Sequence, residues 1–143
     1  MKVLWVSKER ILDSQLLLLR NHNYDLLIYD KDIYNVEDFL QEVKRIYKIK
    51  DDEPLIIIPI APESIKMKLL EEIKKNNLPW RLFEPEMKEL GRFQSLEECE
   101  RLTDESRDKR VYIRLKNGEC KVYEFVRFKE ILEYHKVYGE SIG

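Results

Sequence analysis

Short apolar runs alternate with longer amphipathic segments along the first 83 residues of the chain. The compact, β-rich runs are Lys2–Val6, Tyr24–Tyr29 and Leu55–Ile60. The third of them, LIIIPI, is nearly continuous in large apolar residues, which is typical of a strand covered on both faces. Trp80–Phe83, directly behind Pro79, predicts a fourth strand.

Helical patterns fill the intervals between these runs. Asp13 can cap a helix that ends at about Asn21, and another helix begins at Pro62 or Ser64. The clearest helix follows Asn35, with apolar residues at helical spacing: Val36, Phe39, Leu40, Val43, Ile46 and Tyr47. Strands that alternate with helices form right-handed βαβ units. We therefore expect an α/β fold, a Rossmann-like three-layer domain with a mostly parallel sheet of about four strands.

The remaining third of the chain predicts a helix followed by an antiparallel β-hairpin. Ser95 begins a capping box, so a short helix should run to about Asp104. Ile131–Tyr138 fits a strand or a helix equally well. The simplest organisation is a single domain over residues 1–143, with a βαβ core at 1–90 and a helix-plus-hairpin extension at 91–143.

The hairpin prediction depends on one dipeptide between two alternating strands. Asn117-Gly118 favours a two-residue type I′ turn, because both central residues of that turn need a positive φ. In this register the opposed pairs are Leu115 with Cys120, Ile113 with Val122, and Val111 with Glu124. These pairs form one, mostly apolar face of the hairpin.

Charged residues are abundant but nearly balanced. They make up 38% of the chain, with 26 Lys and Arg against 28 Asp and Glu, whereas globular proteins contain about 25%. A net charge of −2 argues against a general attraction to nucleic acid or to an anionic membrane, so we expect no membrane partner. Abundant Lys, Glu and Ile with only 4 Gly give a thermophile-like composition.

Cysteine usage bears on the compartment. Cys99 and Cys120 belong to no CxxC motif, so a structural zinc site is not expected. Two isolated cysteines in a chain without a recognisable export signal indicate a reducing compartment. We therefore expect a cytoplasmic protein.

Acidic residues follow the predicted strands. Asp30 and Asp32 come after the second strand and Glu63 after the third. Ligands of parallel sheets bind beyond the carboxyl ends of the strands, and Mg²⁺ prefers several carboxylate oxygens. These three residues predict a metal site, and solvated loop acids are the alternative interpretation.

Other catalytic and cofactor motifs are missing from the sequence. The turn after the first strand is Ser7-Lys8-Glu9-Arg10, and no GxGxxG, GxxxxGK[ST] or GxSxG motif occurs. Glycine-rich loops bind phosphates because their backbone N–H groups approach without intervening side chains. We expect no cofactor and assign no catalytic residue.

Basic residues concentrate in the C-terminal hairpin. Between Arg107 and Lys129 there are eight Lys or Arg but only three Asp or Glu. Aromatic rings among basic side chains suit single-stranded nucleic acid, and Tyr, Phe and Arg are also enriched at subunit interfaces. A covering segment would instead make the rings part of the core. The candidate binding residues are Tyr112, Arg114, Lys121, Tyr123, Phe125 and Arg127.

Three functions follow as hypotheses. The first is a non-catalytic binding or assembly module that self-associates, for example as a homodimer, through the hairpin region. The second is a nucleic-acid-binding protein that uses the basic and aromatic hairpin face. The third is a Mg²⁺-dependent phosphoryl-transfer or hydrolytic enzyme with Asp30, Asp32 and Glu63 at its centre.

Overall fold

The computed structural model describes residues 1–133 and 138–143 of the chain. That part contains seven strands and four helices joined by short connections. In chain order they are β1 (Lys2–Val6), α1 (Asp13–Asn21), β2 (Asp25–Tyr29), α2 (Val36–Tyr47), β3 (Leu55–Pro59), α3 (Glu63–Lys75), β4 (Trp80–Phe93), α4 (Leu96–Asp104), β5 (Arg110–Arg114), β6 (Cys120–Ile131) and β7 (Tyr138–Ile142).

The first four strands pair in parallel in the order β2-β1-β3-β4. The chain moves outward from β1 to β2 and then back across β1 to β3. Right-handed crossovers in opposite directions put their helices on opposite faces of the sheet. Leu4 and Ile57 accordingly pack with α2 and α3, whereas Trp5 and Ile56 pack with α1. Helices on both faces explain why every residue of β3 is buried.

Two predicted helix starts are confirmed in atomic detail. The Asn35 Oδ1 accepts the Asp38 N–H at 2.9 Å at the start of α2. The Ser95 Oγ accepts the Glu98 N–H at 3.1 Å at the start of α4. Both caps satisfy backbone donors that the first helical turn leaves free, so local sequence alone determines where these helices begin.

The predicted fold class is wrong, because β4 does not end at Phe83. It continues to Phe93 and pairs antiparallel with β6, which also pairs antiparallel with β5 and β7. The described residues thus form a mixed sheet of seven strands rather than a mostly parallel, Rossmann-like sheet of about four. The boundary predicted after residue 90 falls inside β4. Charges together with Pro85 and Gly91 conceal this strand in the sequence.

The predicted hairpin register is also wrong, by one residue. Leu115 donates its N–H to the Glu119 carbonyl at 2.8 Å, so the loop contains three residues, Lys116-Asn117-Gly118. Within this loop only Gly118 has a positive φ, of 87°, which is typical of a three-residue turn with a glycine bulge. The shift puts Tyr112 opposite Val122 and moves alternate side chains to the other face.

The prediction of two separate thiols is wrong as well. Cys99 of α4 and Cys120 of β6 form a disulfide, with 6.5 Å between their Cα atoms. Both residues are buried and form a small apolar cluster with Val122. Cys99 and Cys120 are separated by 21 positions in the sequence, and they meet because α4 packs on β5 and β6. Neither sequence spacing nor composition predicts this contact.

The end of the chain adds a short strand. β7 pairs with the last part of β6, with Phe128 opposite Ile142. Residues 134–137, which are part of the segment predicted as a strand or a helix, lie outside the described residues. Among the helices of the described chain, none is long and apolar enough to cross a membrane.

Candidate functional site

The three carboxylates predicted as metal ligands have different surroundings. Asp32 forms an ion pair with Lys8 at 3.0 Å, and this hydrogen bond raises the pKa of Lys8. Glu63 lies 3.4 Å from the Lys66 ammonium, while Asp30 is exposed. In residues 1–133 and 138–143, no three His, Cys, Asp or Glu side chains are grouped so that they could hold a metal ion.

A small crevice opens where the strand order reverses between β1 and β3, the place where ligands of open α/β sheets commonly bind. Its volume is about 280 Å³, and its lining includes Asp32, Tyr34 and Pro62 but neither Asp30 nor Glu63. Tyr34 is 86% exposed. The crevice therefore brings one predicted acid beside an exposed ring but does not unite the three acids.

A buried ion pair joins α3 to β4. The Lys66 ammonium is 3.0 Å from the Glu84 carboxylate, and the Tyr138 hydroxyl also donates to Glu84 at 3.0 Å. The Lys66 and Glu84 side chains are only 12% and 11% exposed. Their mutual pairing compensates the desolvation of both charges, which is a structural role.

The six residues of the predicted binding face do not share a surface. Phe125 is buried with Phe128 in the part of the core next to α1, and Tyr112 packs against the disulfide cluster under α4.

Two basic residues of the predicted face contact acidic residues of β4. Lys121 pairs with Glu89 at 3.3 Å, and Arg127 pairs with Glu86 at 3.0 Å. Tyr123 is partly buried, and Arg114 is exposed. The one-residue shift of the hairpin divides the face, because it moves Tyr112 and Arg114 away from Lys121 and Tyr123.

The positive charge of this region is largely neutralised. Arg110 contacts Glu124 at 3.0 Å, and this hydrogen bond lowers the pKa of Glu124. Arg107 contacts Asp104 at 2.6 Å. Among the basic residues between Arg107 and Lys129, only Arg114 and Lys116 lack an acidic partner in the part of the chain that the structure describes.

The strand β5 lies at one edge of the sheet. In the described residues it pairs with β6 and with no other strand. Two backbone hydrogen bonds of 2.8 Å define which of its residues face β6: Phe125 N–H donates to the Lys109 carbonyl, and Leu115 N–H donates to the Glu119 carbonyl. Odd-numbered residues from 109 to 115 therefore direct their backbone groups at β6.

The even-numbered residues of β5 present their backbone groups to the open edge. The N–H and C=O of Tyr112 and Arg114 point away from β6, and no partner for them exists within the described residues. Ile113, between them, is 46% exposed. The predicted register placed Ile113 on the mostly apolar face of the hairpin. The sequence contains no signal against the predicted register, because Asn117-Gly118 is compatible both with a two-residue type I′ turn and with a three-residue loop that ends in glycine.

The opposite edge of the sheet, β2, is partly covered. Ile28 is 47% exposed, much like Ile113, but its carbonyl accepts a hydrogen bond of 2.6 Å from the Tyr47 hydroxyl of α2. Native sheets commonly cover or block their edges to prevent unwanted pairing. Three strands of the described sheet have only one neighbour, namely β2, β5 and β7. Of these, β2 and β5 differ, because a side chain covers a backbone group of β2, whereas no side chain in the described residues covers one of β5.

A groove of about 610 Å³ adjoins the open edge of β5. One wall is the segment before and at the start of α1, and the other is α4. Glu100 on α4 accepts a 3.4 Å hydrogen bond from the Tyr112 hydroxyl.

The side chains that line the groove are of three kinds. The apolar and aromatic ones are Ile11, Leu12, Val111 and Tyr112, the acidic ones are Asp13, Glu100 and Asp104, and the basic ones are Arg10, Arg107 and Arg110. We call this space the β5 groove.

Comparison of the chain with protein-family models, with curated proteins and with solved structures finds no match.

Proposed function

We propose that this protein is a non-catalytic binding and assembly module that self-associates through the open edge of β5. The observation that carries the proposal is the pair of outward N–H and C=O groups at Tyr112 and Arg114. A strand edge with free donors and acceptors is a template for pairing with another strand. The exposed Ile113 adds apolar surface at the same place.

Charge supports self-association over the nucleic-acid alternative. Non-specific binding to nucleic acid depends on several Lys or Arg side chains that are free to neutralise phosphates. In this hairpin most of them already contact Glu or Asp, as Lys121 and Arg127 do. Tyr112 and Phe125 are engaged in packing and offer little ring surface for stacking.

The cytoplasmic location remains part of this proposal. Intracellular proteins of hyperthermophiles are an exception to the rule that disulfides are confined to oxidising compartments. The thermophile-like composition and the Cys99–Cys120 disulfide are compatible with such a source.

Sedimentation equilibrium tests the proposal. We expect a dimer that dissociates on dilution between about 1 mM and about 1 µM, which corresponds to binding free energies of about −4 to −8 kcal/mol. Ile113→Lys should abolish the dimer, because it adds charge to the pairing edge. Ile28→Lys is the matched control, because Ile28 is equally exposed on β2, at the opposite edge of the sheet.

Arg114→Pro provides an independent block of the edge. It removes an N–H that points away from β6, so the hairpin itself loses no ladder hydrogen bond. A monomer at the highest concentration, or an equal loss of association in Ile28→Lys, would show that β5 is not a self-association edge.

A further inference from the structure

We propose that the occupant of the β5 edge is a second copy of this chain in one fixed antiparallel register, with the two-fold axis between the two Ile113 residues. In this arrangement the hairpin turn of each copy enters the β5 groove of the other. The inference rests on the proposed self-association and specifies its geometry.

The free backbone groups determine the register. When Ile113 lies opposite Ile113 of the second copy, Tyr112 lies opposite Arg114 in both directions. The two N–H and two C=O groups of each copy then all find partners. A register centred on Tyr112 requires the Arg110 N–H, which already donates to the Ser106 carbonyl at 2.9 Å. A register centred on Arg114 requires the backbone groups of Lys116, which lies in the turn beyond the end of β5. Of these three registers, only the one centred on Ile113 uses all the free groups of Tyr112 and Arg114 and no backbone group that is occupied or in the turn.

Apolar side chains match on one face of the combined sheet. Ile113 meets its own copy at a pair that is not hydrogen-bonded, where side chains approach most closely. Val111 of each copy meets Leu115 of the other. Val111 lines the β5 groove beside Ile11 and Leu12, so the incoming Leu115 extends an apolar surface that already exists.

Charges match on the other face, under α4. Arg114 of one copy lies beside Tyr112 of the other, whose hydroxyl already contacts Glu100 at 3.4 Å. Arg114 has no acidic partner within the described part of its own chain, so Glu100 of the second copy supplies one.

The hairpin turn of the second copy occupies the β5 groove in this arrangement. Continuing the pairing past Leu115 brings Lys116 of the second copy to the end of β5 where the groove opens. Asp13, Glu100 and Asp104 line that space together with Arg10, Arg107 and Arg110, and Arg10 and Arg107 pair with Asp13 and Asp104. Its volume of about 610 Å³ accommodates several side chains. Lys116 is exposed and without an acidic partner in residues 1–133 and 138–143.

The symmetry of this contact limits the assembly to two copies. Each β5 edge is used by the other copy, so the interface is isologous and closed. The short strand pair alone buries little surface, but reciprocal insertion of both turns enlarges the contact. A dimer rather than a filament is therefore the product.

Cysteine cross-linking tests the register. With Cys99 and Cys120 joined, an introduced cysteine is the only free thiol. Opposed residues that are not hydrogen-bonded have Cα atoms about 4.5 Å apart, which is within disulfide range. Ile113→Cys should give a covalent dimer on mild oxidation. Arg114→Cys is the exposed, neighbouring control, tested at a concentration at which sedimentation shows it to be a dimer. It should not cross-link, because its two copies lie on opposite sides of the axis.

A charge-reversal cycle tests the contact with α4. Arg114→Glu and Glu100→Arg should each weaken the dimer about tenfold, and the double variant should recover most of the affinity because it restores the ion pairs with reversed signs. The melting temperature of each variant is measured as well. Recovery of the dimer affinity without a matching change in melting temperature distinguishes an intermolecular contact from a defect in folding.

The outcomes separate the register from the proposed function. If the native chain dimerises but Arg114→Cys cross-links as well as Ile113→Cys, or neither does, the register is wrong and self-association stands. If dimerisation persists without recovery in the double variant, the Arg114–Glu100 contact is wrong. If the native chain is a monomer at all concentrations, both the register and the proposed function are overturned.

Discussion

The Lys66 ammonium and the Glu84 carboxylate lie 3.0 Å apart, with both side chains almost 90% buried, between α3 and β4. They are 18 residues apart in the sequence. Their pairing, together with the hydrogen bond from the Tyr138 hydroxyl to Glu84, offsets the cost of removing both charges from water. The pair therefore connects β4 to α3, the helix that precedes it.

Removal of the Lys66 charge should strongly destabilise the protein. We expect Lys66→Met to lower the free energy of unfolding by about 3 kcal/mol, because it removes the ammonium that lies 3.0 Å from the buried Glu84 carboxylate. Urea unfolding measures the change. The matched control is Lys8→Met, which breaks the exposed Lys8–Asp32 pair and should change stability far less, because solvent screens that pair. Equal losses in the two variants would contradict a special role for the buried pair.

Reduction of the Cys99–Cys120 disulfide should lower stability by about 3 kcal/mol, since the bond closes a loop with a sequence separation of 21 residues and limits the unfolded chain. Thermal unfolding with and without a reductant measures the effect. The Cys99→Ala/Cys120→Ala double variant should melt at one temperature under both conditions. A native chain that is insensitive to the reductant would show that the bond does not contribute to stability.

Tyr29 should make stability fall in alkaline solution. Burial, and then the 2.7 Å hydrogen bond to the Glu42 carboxylate, raise the pKa of Tyr29 from 10.0 to about 12. The folded state therefore keeps this proton where the unfolded state has lost it. Its contribution is fully present below pH 10 and is lost as the pH rises towards 12.

Urea unfolding at several alkaline pH values measures this dependence. Tyr29→Phe should show a shallower decline than the native chain between pH 10 and 12. Part of the decline should persist in the variant, because burial also raises the pKa of Tyr47. Identical slopes in the two proteins would be inconsistent with the buried environment of the Tyr29 hydroxyl.

Local patterns in the sequence determined several elements of this protein directly. Asn35 and Ser95 begin α2 and α4 as predicted, since a cap needs only a side-chain acceptor and backbone donors three residues away. The run Leu55–Pro59 is a central strand with helices on both faces, as its continuous apolar character indicates. These features depend on interactions within one element or on how completely it is buried.

The tertiary structure alone decided the rest, because the determining contacts join distant residues. The second half of β4 is a strand only because β6 pairs with it, and Pro85 and Gly91 hide that preference. Cys99 meets Cys120 only after α4 folds onto the hairpin. The free edge at Tyr112 and Arg114 depends on strand order and on a one-residue choice of turn. Strand order and pairing register arise from long-range packing, and a residue's own neighbours in the sequence carry little information about either.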